Sequence, residues 1–296
     1  MSGILKVNGK YDLCITQCWF SGSGGHRISG HIYEIIDYYL ILKEQYNVCI
    51  LLMDGMTIST FRKIIEYKYN LMAEDIDGII SNVIFCLNPH IIICNNILIV
   101  DGYYGLSNFV VKSKNIFMFA CPLDNSFSRS DNHYILQDYR IYKEGRNTID
   151  YKKKINFGMI KIPKTIDNKI LLYGTKNCRL IDNETYNSIS LLNKDVIVIS
   201  DNHYEDTDNI NYITPPINNL FEMFDTYIYT PVSIKFDCSP RFIAECRYFE
   251  KNVIYYGINY DDIGLSVRIN DIDNNFHSLF LNECDGIFNI IGDKIG

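Results

Sequence analysis

The sequence predicts an α/β chain of two successive parallel-sheet domains, and three observations carry that prediction. Short apolar runs of strand length, such as NVCILLM at 47–53 and VIVIS at 196–200, alternate with longer stretches of helical spacing, such as HIYEIIDYYLILKEQ at 31–45. The alternation loosens between about Arg129 and Lys164 and then restarts. Each half also holds a strand that runs into a loop rich in glycine or charge and then into a helix. The expected division is therefore an N-terminal α/β domain at 1–164 and a C-terminal one at 165–296.

Composition bounds the function classes. The chain has 296 residues, 47% apolar and 21% charged, which is globular rather than disordered. A net charge of −7 gives no global basic field, so a nucleic-acid partner would need a local patch. Ten cysteines are scattered without a CxxC pair or zinc spacing, and they read as buried, reduced thiols. No metal site is expected. The N-terminus does not read as a signal peptide, and Ile91 to Val100 is too short to span a bilayer, so a cytoplasmic protein is expected. Ile, Asn, Tyr and Asp are abundant while Ala and Pro are scarce. That bias fits an AT-rich genome, such as a viral one, and is read as having no bearing on the fold.

In order, residues 1–10 read as a tail or short edge strand, and Asp12 to Phe20 as the first firm strand. The loop SGSGGHRISGH follows, with Gly22, Gly24, Gly25 and Gly30, then a helix from His31 to Gln45 and a strand from Asn47 to Met53. Such a unit joins parallel strands by a right-handed crossover. Thr57 to Lys68 and Ile76 to Ser81 read as helices and Asn82 to Leu87 as a strand. Ile91 to Val100 reads as strand with an interruption at Asn95, and Ile116 to Cys121 as another buried strand. Arg129 to Lys164 reads as a crossing segment between domains. In the second half Lys169 to Tyr173, Val196 to Ser200, Thr226 to Val232 and Val253 to Tyr256 are expected strands, with a helix at Asn183 to Asn193.

Ligands of open parallel sheets sit outside the carboxyl ends of the strands. There the sequence places the loop Ser21 to His31, Asp54, Asp101 and Asp124 in the first half, and the turn Gly174 to Arg179 in the second. The stretch FDCSPRFIAECRYFEKNVIYYG at 236–257 carries the most information. Pro240 suits the first turn of a helix and Ser239 its N-cap. Arg241 and Glu245, four apart, share a face of that helix, which is expected to reach about Lys251. Two readings stand: a site where Arg241 meets a phosphate and Glu245 the ribose hydroxyls, or an exposed Arg–Glu pair. Lys176 and Arg179 likewise read as anion ligands or as solvated turn residues. His26 is the candidate base, or a plain loop histidine. Asp101 and Asp124 are its alternatives or orienting partners, although Asp101 before Gly102 also suits a turn. The loop lacks the Lys-Ser/Thr of a P-loop. It nearly meets GxGxxG at Gly22, Gly24 and Gly25 but misplaces the third glycine, which keeps an NAD-binding oxidoreductase as an alternative, with Asp54 as the acid after the second strand.

Taken together, the two α/β halves resemble a GT-B glycosyltransferase, built of two Rossmann-like domains facing each other across a cleft. YGTKNCR at Tyr173 to Arg179 resembles the phosphate-binding turn of the phage enzymes that glucosylate hydroxymethylated bases in DNA. SPRFIAECRYFEKNVIYY resembles their donor-site helix, and GGHRISGH the first turn of inverting plant-type enzymes, where a Gly-His pair supplies the base. The resemblance implies a nucleotide-sugar donor, a UDP-sugar such as UDP-glucose, and no further cofactor. It implies donor contacts from Gly24, Gly25, Gly174, Lys176, Arg179, Ser239, Arg241 and Glu245, and a base among His26, Asp101 and Asp124. Without a metal, positive side chains and helix N–H groups stabilise the diphosphate leaving group. The acceptor is a hydroxyl, of a modified base in DNA or of a cell-surface glycan. For DNA, the basic candidates are Lys112, Lys114, Arg129 and the run from Arg140 to Lys154. A non-catalytic nucleotide-binding module of the same build is the remaining alternative.

Overall fold

The computed structural model describes residues 3–17, 30–53, 56–86, 91–100, 110–119, 131–137, 147–151, 154–173, 194–200, 210–230, 241–255 and 285–295. The chain begins with β1 (Ile4–Lys6), β2 (Leu13–Thr16), α1 (Gly30–Leu42), β3 (Val48–Met53), α2 (Ile58–Lys68), α3 (Ala73–Ser81) and β4 (Val83–Cys86). Next come β5 (Ile91–Ile93), β6 (Asn96–Ile99), β7 (Val110–Lys112), β8 (Asn115–Phe119), β9 (His133–Gln137) and β10 (Thr148–Asp150). The last described elements are β11 (Ile170–Tyr173), β12 (Val196–Ile199), β13 (Ile210–Ile213), β14 (Thr226–Tyr229), α4 (Arg241–Tyr248), β15 (Asn252–Tyr255) and α5 (Asp285–Ile295). The protein is thus α/β, and all the described strand pairs are parallel. Among the described residues no helix is long and apolar enough to cross a membrane.

By compactness the chain divides into two units, each discontinuous in sequence, whereas the sequence reading placed one boundary after residue 164. The first comprises Met1–Arg62, Leu71–Phe157 and His277–Gly296, and the second Lys63–Asn70 and Gly158–Phe276. The last turns of α2 therefore count with the second unit, and α5 with the first.

The first unit holds a seven-stranded sheet in the order β10-β9-β8-β6-β2-β3-β4 and a three-stranded sheet, β1-β5-β7. In the larger sheet the chain starts at β2 and steps outward to β3 and β4, then returns to the other side of β2 for β6, β8, β9 and β10. That reversal is the switch point of Rossmann-like sheets, and ligands of such sheets bind beyond the carboxyl ends of the strands that flank it, here β2 and β6. Strands buried on both faces read as near-continuous apolar runs. Accordingly Leu13, Ile15, Ile50, Leu51, Ile97, Leu98 and Phe117 are fully buried. α1 covers this sheet with Ile32, Ile35, Ile36, Tyr38 and Leu42.

The amino ends of the strands are closed by asparagine side chains. Asn47 Nδ2 donates to the Lys10 carbonyl at 2.7 Å, Asn95 Nδ2 to Tyr11 at 2.9 Å and Asn96 Nδ2 to Asp12 at 2.8 Å. Asn115 Nδ2 donates to Asn96 Oδ1 at 2.8 Å and to the Lys294 carbonyl of α5 at 3.0 Å. Asn132 reaches the Ser113 carbonyl and Asn147 the Asp131 carbonyl. All but the Asn115–Asn96 bond satisfy a backbone carbonyl, a group that is costly to bury unpaired. The asparagine bias, read from the sequence as irrelevant to the fold, in fact supplies this rim.

The same rim corrects a second expectation. The segment from Arg129 to Lys164 is not merely a crossing: β9 and β10 within it extend the large sheet, paired through Ile116↔His133 and Thr148↔Ile135. These strands were missed because they are short and polar at their ends. The interruption at Asn95 is observed, and it separates β5 in one sheet from β6 in the other.

The second unit holds a five-stranded sheet in the order β13-β12-β11-β14-β15. Its switch point lies between β11 and β14. Ile170, Leu172, Val196, Val198, Ile210 and Ile228 form its core on one face. On the other, Tyr227 meets the Phe242 ring edge-on at 4.9 Å. Lys194 Nζ reaches both oxygens of Asp225, at 2.9 and 2.8 Å, tying the entries of β12 and β14.

Asn96 both donates to Asp12 and accepts from Asn115. Asn96→Ala leaves two partners unsatisfied, so it is expected to cost about 1–3 kcal/mol. Urea denaturation measures this, and an unchanged midpoint would show that the rim contributes nothing.

Candidate functional site

The site is built where β14 ends and α4 begins. α4, RFIAECRY, is rich in good helix formers and turns Ile243, Ala244 and Cys246 inward. It stops at Tyr248, short of the expected Lys251. Glu250 takes a left-handed φ of 56°, and the Lys251 N–H closes back on the Cys246 carbonyl at 2.8 Å. The Lys251 ammonium is buried and donates to the carbonyls of Phe221 and Phe224, which pins the end of α4 to the turn before β14. Phe242 stacks on Phe221 with ring centroids 5.5 Å apart, so the start of the helix is anchored as well.

Arg241 and Glu245 do pair across one helical turn, Nε to Oε1 at 2.7 Å, but they are not a surface pair. Glu245 is 1% exposed and Arg241 7%. A third group completes the arrangement: Lys68, the last residue of α2, places Nζ 2.6 Å from the same Oε1. Lys68 is held in the second unit by its neighbours. Lys161 N–H donates to the Lys68 carbonyl at 2.8 Å and Asn70 N–H to Met159 at 2.7 Å, around a bridge between Tyr69 and Ile160. Its ammonium also lies 5.9 Å from the centre of the Phe221 ring.

Burial pushes the Glu245 carboxyl up, but the charges and hydrogen bonds of Lys68 and Arg241 together overcome that and hold it below its ordinary value of 4.5. The same burial, helped by the Glu245 charge, drives the adjacent Cys246 thiol well up, so that thiol is unreactive. Taking Arg241 and Glu245 out of water costs several kcal/mol per ion, and an apolar cluster of equal volume would serve stability as well or better. An exposed i, i+4 pair, by contrast, contributes only about 0.3–0.5 kcal/mol and demands nothing. The observed pair is the costly kind, and Lys68 brings a second cation to the same carboxylate oxygen. Perturbed, buried charge at a strand end is a mark of a functional position.

Of the residues singled out from the sequence, the structure brings Arg241 and Glu245 together. His26, Asp101, Asp124, Gly24, Gly25, Gly174, Lys176, Arg179 and Ser239 lie outside the described residues, as do Asp54 and Arg129. Of the basic candidates for DNA, Lys112 and Lys114 are exposed, but Lys154 is buried and does not belong to a surface patch. Among the described residues no group of His, Cys, Asp and Glu is placed to hold a metal ion.

Three residues escaped the sequence reading. Lys68 looked like the end of an ordinary helix, and no spacing rule links it to Glu245. Gln17 and Thr230 stand just beyond β2 and β14, the strands flanking the two switch points. Both are buried, and among the described residues Gln17 Oε1 and Thr230 Oγ1 have no hydrogen-bond partner. A polar residue closing an apolar strand at a switch point is the signal that would have found them.

The lowered Glu245 value fixes the sign of a pH effect. A carboxyl more acidic folded than unfolded stabilises the fold above its unfolded value, near 4.5, and that contribution is lost as pH falls through the folded value. Glu245→Gln should therefore be less stable than the parent between about pH 5 and 7, with the gap narrowing on acidification below about 4.5. Denaturation at stepped pH measures the gap. A gap that widens in acid would contradict the ionised assignment.

In comparisons with known proteins, the chain matches no family model, no curated protein and no solved structure.

Proposed function

We propose that the protein is a glycosyltransferase of the GT-B kind, whose second unit binds a nucleotide-sugar donor at the start of α4. The observation that carries this reading is the buried Arg241–Glu245 pair on the helix that follows β14, a switch-point strand, with Lys68 of α2 on the same carboxylate oxygen. Open parallel sheets bind ligands at that position. A helix start offers N–H groups to an anion, and an arginine there adds charge-assisted bonds to a diphosphate. Positive charge aimed at the diphosphate stabilises it as it leaves the sugar. In this reading Gly174, Lys176, Arg179 and Ser239 complete the donor site. His26, Asp101 or Asp124 takes the proton of the acceptor hydroxyl, with Gly24 and Gly25 letting the backbone pass close to the sugar. A UDP-sugar is the proposed donor, and a hydroxymethylated base in DNA or a glycan hydroxyl the acceptor.

A second reading, a nicotinamide-dependent oxidoreductase, is favoured by one observation. The larger sheet has the strand order of dinucleotide-binding folds, with a glycine-rich sequence after β2. The two readings place the nucleotide in different units.

A thermal-shift panel of UDP, UDP-glucose and NAD separates them, since a ligand that binds only the folded state raises the melting temperature. UDP and UDP-glucose should raise it in the parent, and Arg241→Ala should abolish most of the shift. A shift with NAD alone, unaffected by Arg241→Ala, would overturn the transferase reading in favour of the second.

A further inference from the structure

The three-stranded sheet of the first unit is parallel, and parallel sheets are normally covered on both faces. Its register sorts the side chains by face, because residues directly opposite on neighbouring strands point the same way. Leu5, Ile92 and Val111 are one such row, packed into one core with Cys14, Ile97 and Met118 of the large sheet. On the outer face Ile4, Ile91 and Val110 form a row, with Ile4 49% and Val110 55% exposed. Two residues further along the strands Lys6, Ile93 and Lys112 form a second outer row, and both lysines are exposed. The two rows lie about 7 Å apart, and each spans about 10 Å across the three strands. Neither lysine has an ion-pair partner among the described residues, in a chain whose net charge is −7. An apolar row beside a basic one suits a partner that carries an apolar group and carboxylates at the same spacing.

The start of α3 has that chemistry. Met72, just before the helix, is 69% exposed, and Glu74 and Asp75 in its first turn are exposed as well. A helical turn rises about 5.4 Å, so the methionine and the two carboxylates match the distance between the rows. Glu74 has no ion-pair partner among the described residues, and Asp75 accepts only a long bond from the Met72 N–H, at 3.4 Å. We propose that the first unit binds a second copy of this chain, the Met72–Asp75 turn of one protomer seated on the outer face of the small sheet of the other. Met72, unbranched and adaptable, covers the Ile4–Ile91–Val110 row. Glu74 and Asp75 meet Lys6 and Lys112. The contact is heterologous, since it joins two different surfaces. Where the nucleotide binds has no bearing on it.

Sedimentation equilibrium of the full chain at increasing concentration tests this. The parent should associate reversibly. Two variants isolate the contact: Lys6→Glu with Lys112→Glu on the sheet, and Glu74→Lys with Asp75→Lys on the helix. Each sets like charges against each other, so each alone should associate more weakly than the parent by roughly tenfold or more. Mixed in equal amounts, the two variants should associate again, because each mixed contact pairs opposite charges. All four residues are exposed, and recovery in the mixture is a result that damaged folding would not give. A parent that stays monomeric at the highest concentration would overturn the proposal. So would variants that associate like the parent, or a mixture that stays apart. Phosphatidylglycerol vesicles or duplex DNA that bind the monomeric parent, but not its Lys6→Glu, Lys112→Glu variant, would overturn it in favour of that occupant.

Discussion

One carboxylate oxygen holds the second unit's site together. Glu245 Oε1 takes Lys68 Nζ at 2.6 Å and Arg241 Nε at 2.7 Å, with Glu245 and Arg241 both buried. Such an arrangement survives only where the surroundings fix all three side chains, because losing one partner strands a buried charge. The aromatic group of Phe221, Phe224, Tyr227 and Phe242 provides that fixing on one side of α4, and the Lys251 ammonium secures its end. The return of Lys63–Asn70 to the second unit then makes sense, since it brings the third charge.

Both of the larger sheets, one in each unit, are parallel with one reversal of strand order. Parallel strands place all their carboxyl ends on one edge, and reversal of strand order opens a gap there. In the first unit the opposite edge is occupied by the asparagine rim, which satisfies carbonyls at the strand entries. Ligand chemistry at the carboxyl edge would not compete with these asparagine bonds.

Much of this was legible in the sequence, for identifiable reasons. β3, β8, β11 and β12 are unbroken apolar runs, because both their faces are covered, and such runs announce themselves. α1 and α2 show helical spacing. β7, β9, β10 and β13 did not show, since three to five residues, each run holding at least one polar residue, carry too little period to separate from loop. The Arg241–Glu245 pair was readable because a helix makes i, i+4 neighbours. Its burial and Lys68 were not, because both depend on packing between segments far apart in the chain. The asparagines were visible as composition only; their role depends on strand order, which no local pattern states.

A crystal structure of the protein grown with UDP is the most direct measurement of whether the second unit is the nucleotide site. The diphosphate should lie within hydrogen-bond distance of the Arg241 guanidinium at the start of α4, with Glu245 still shared between Arg241 and Lys68. A nucleotide seated instead at the carboxyl ends of β2 and β6, away from Arg241, would contradict it.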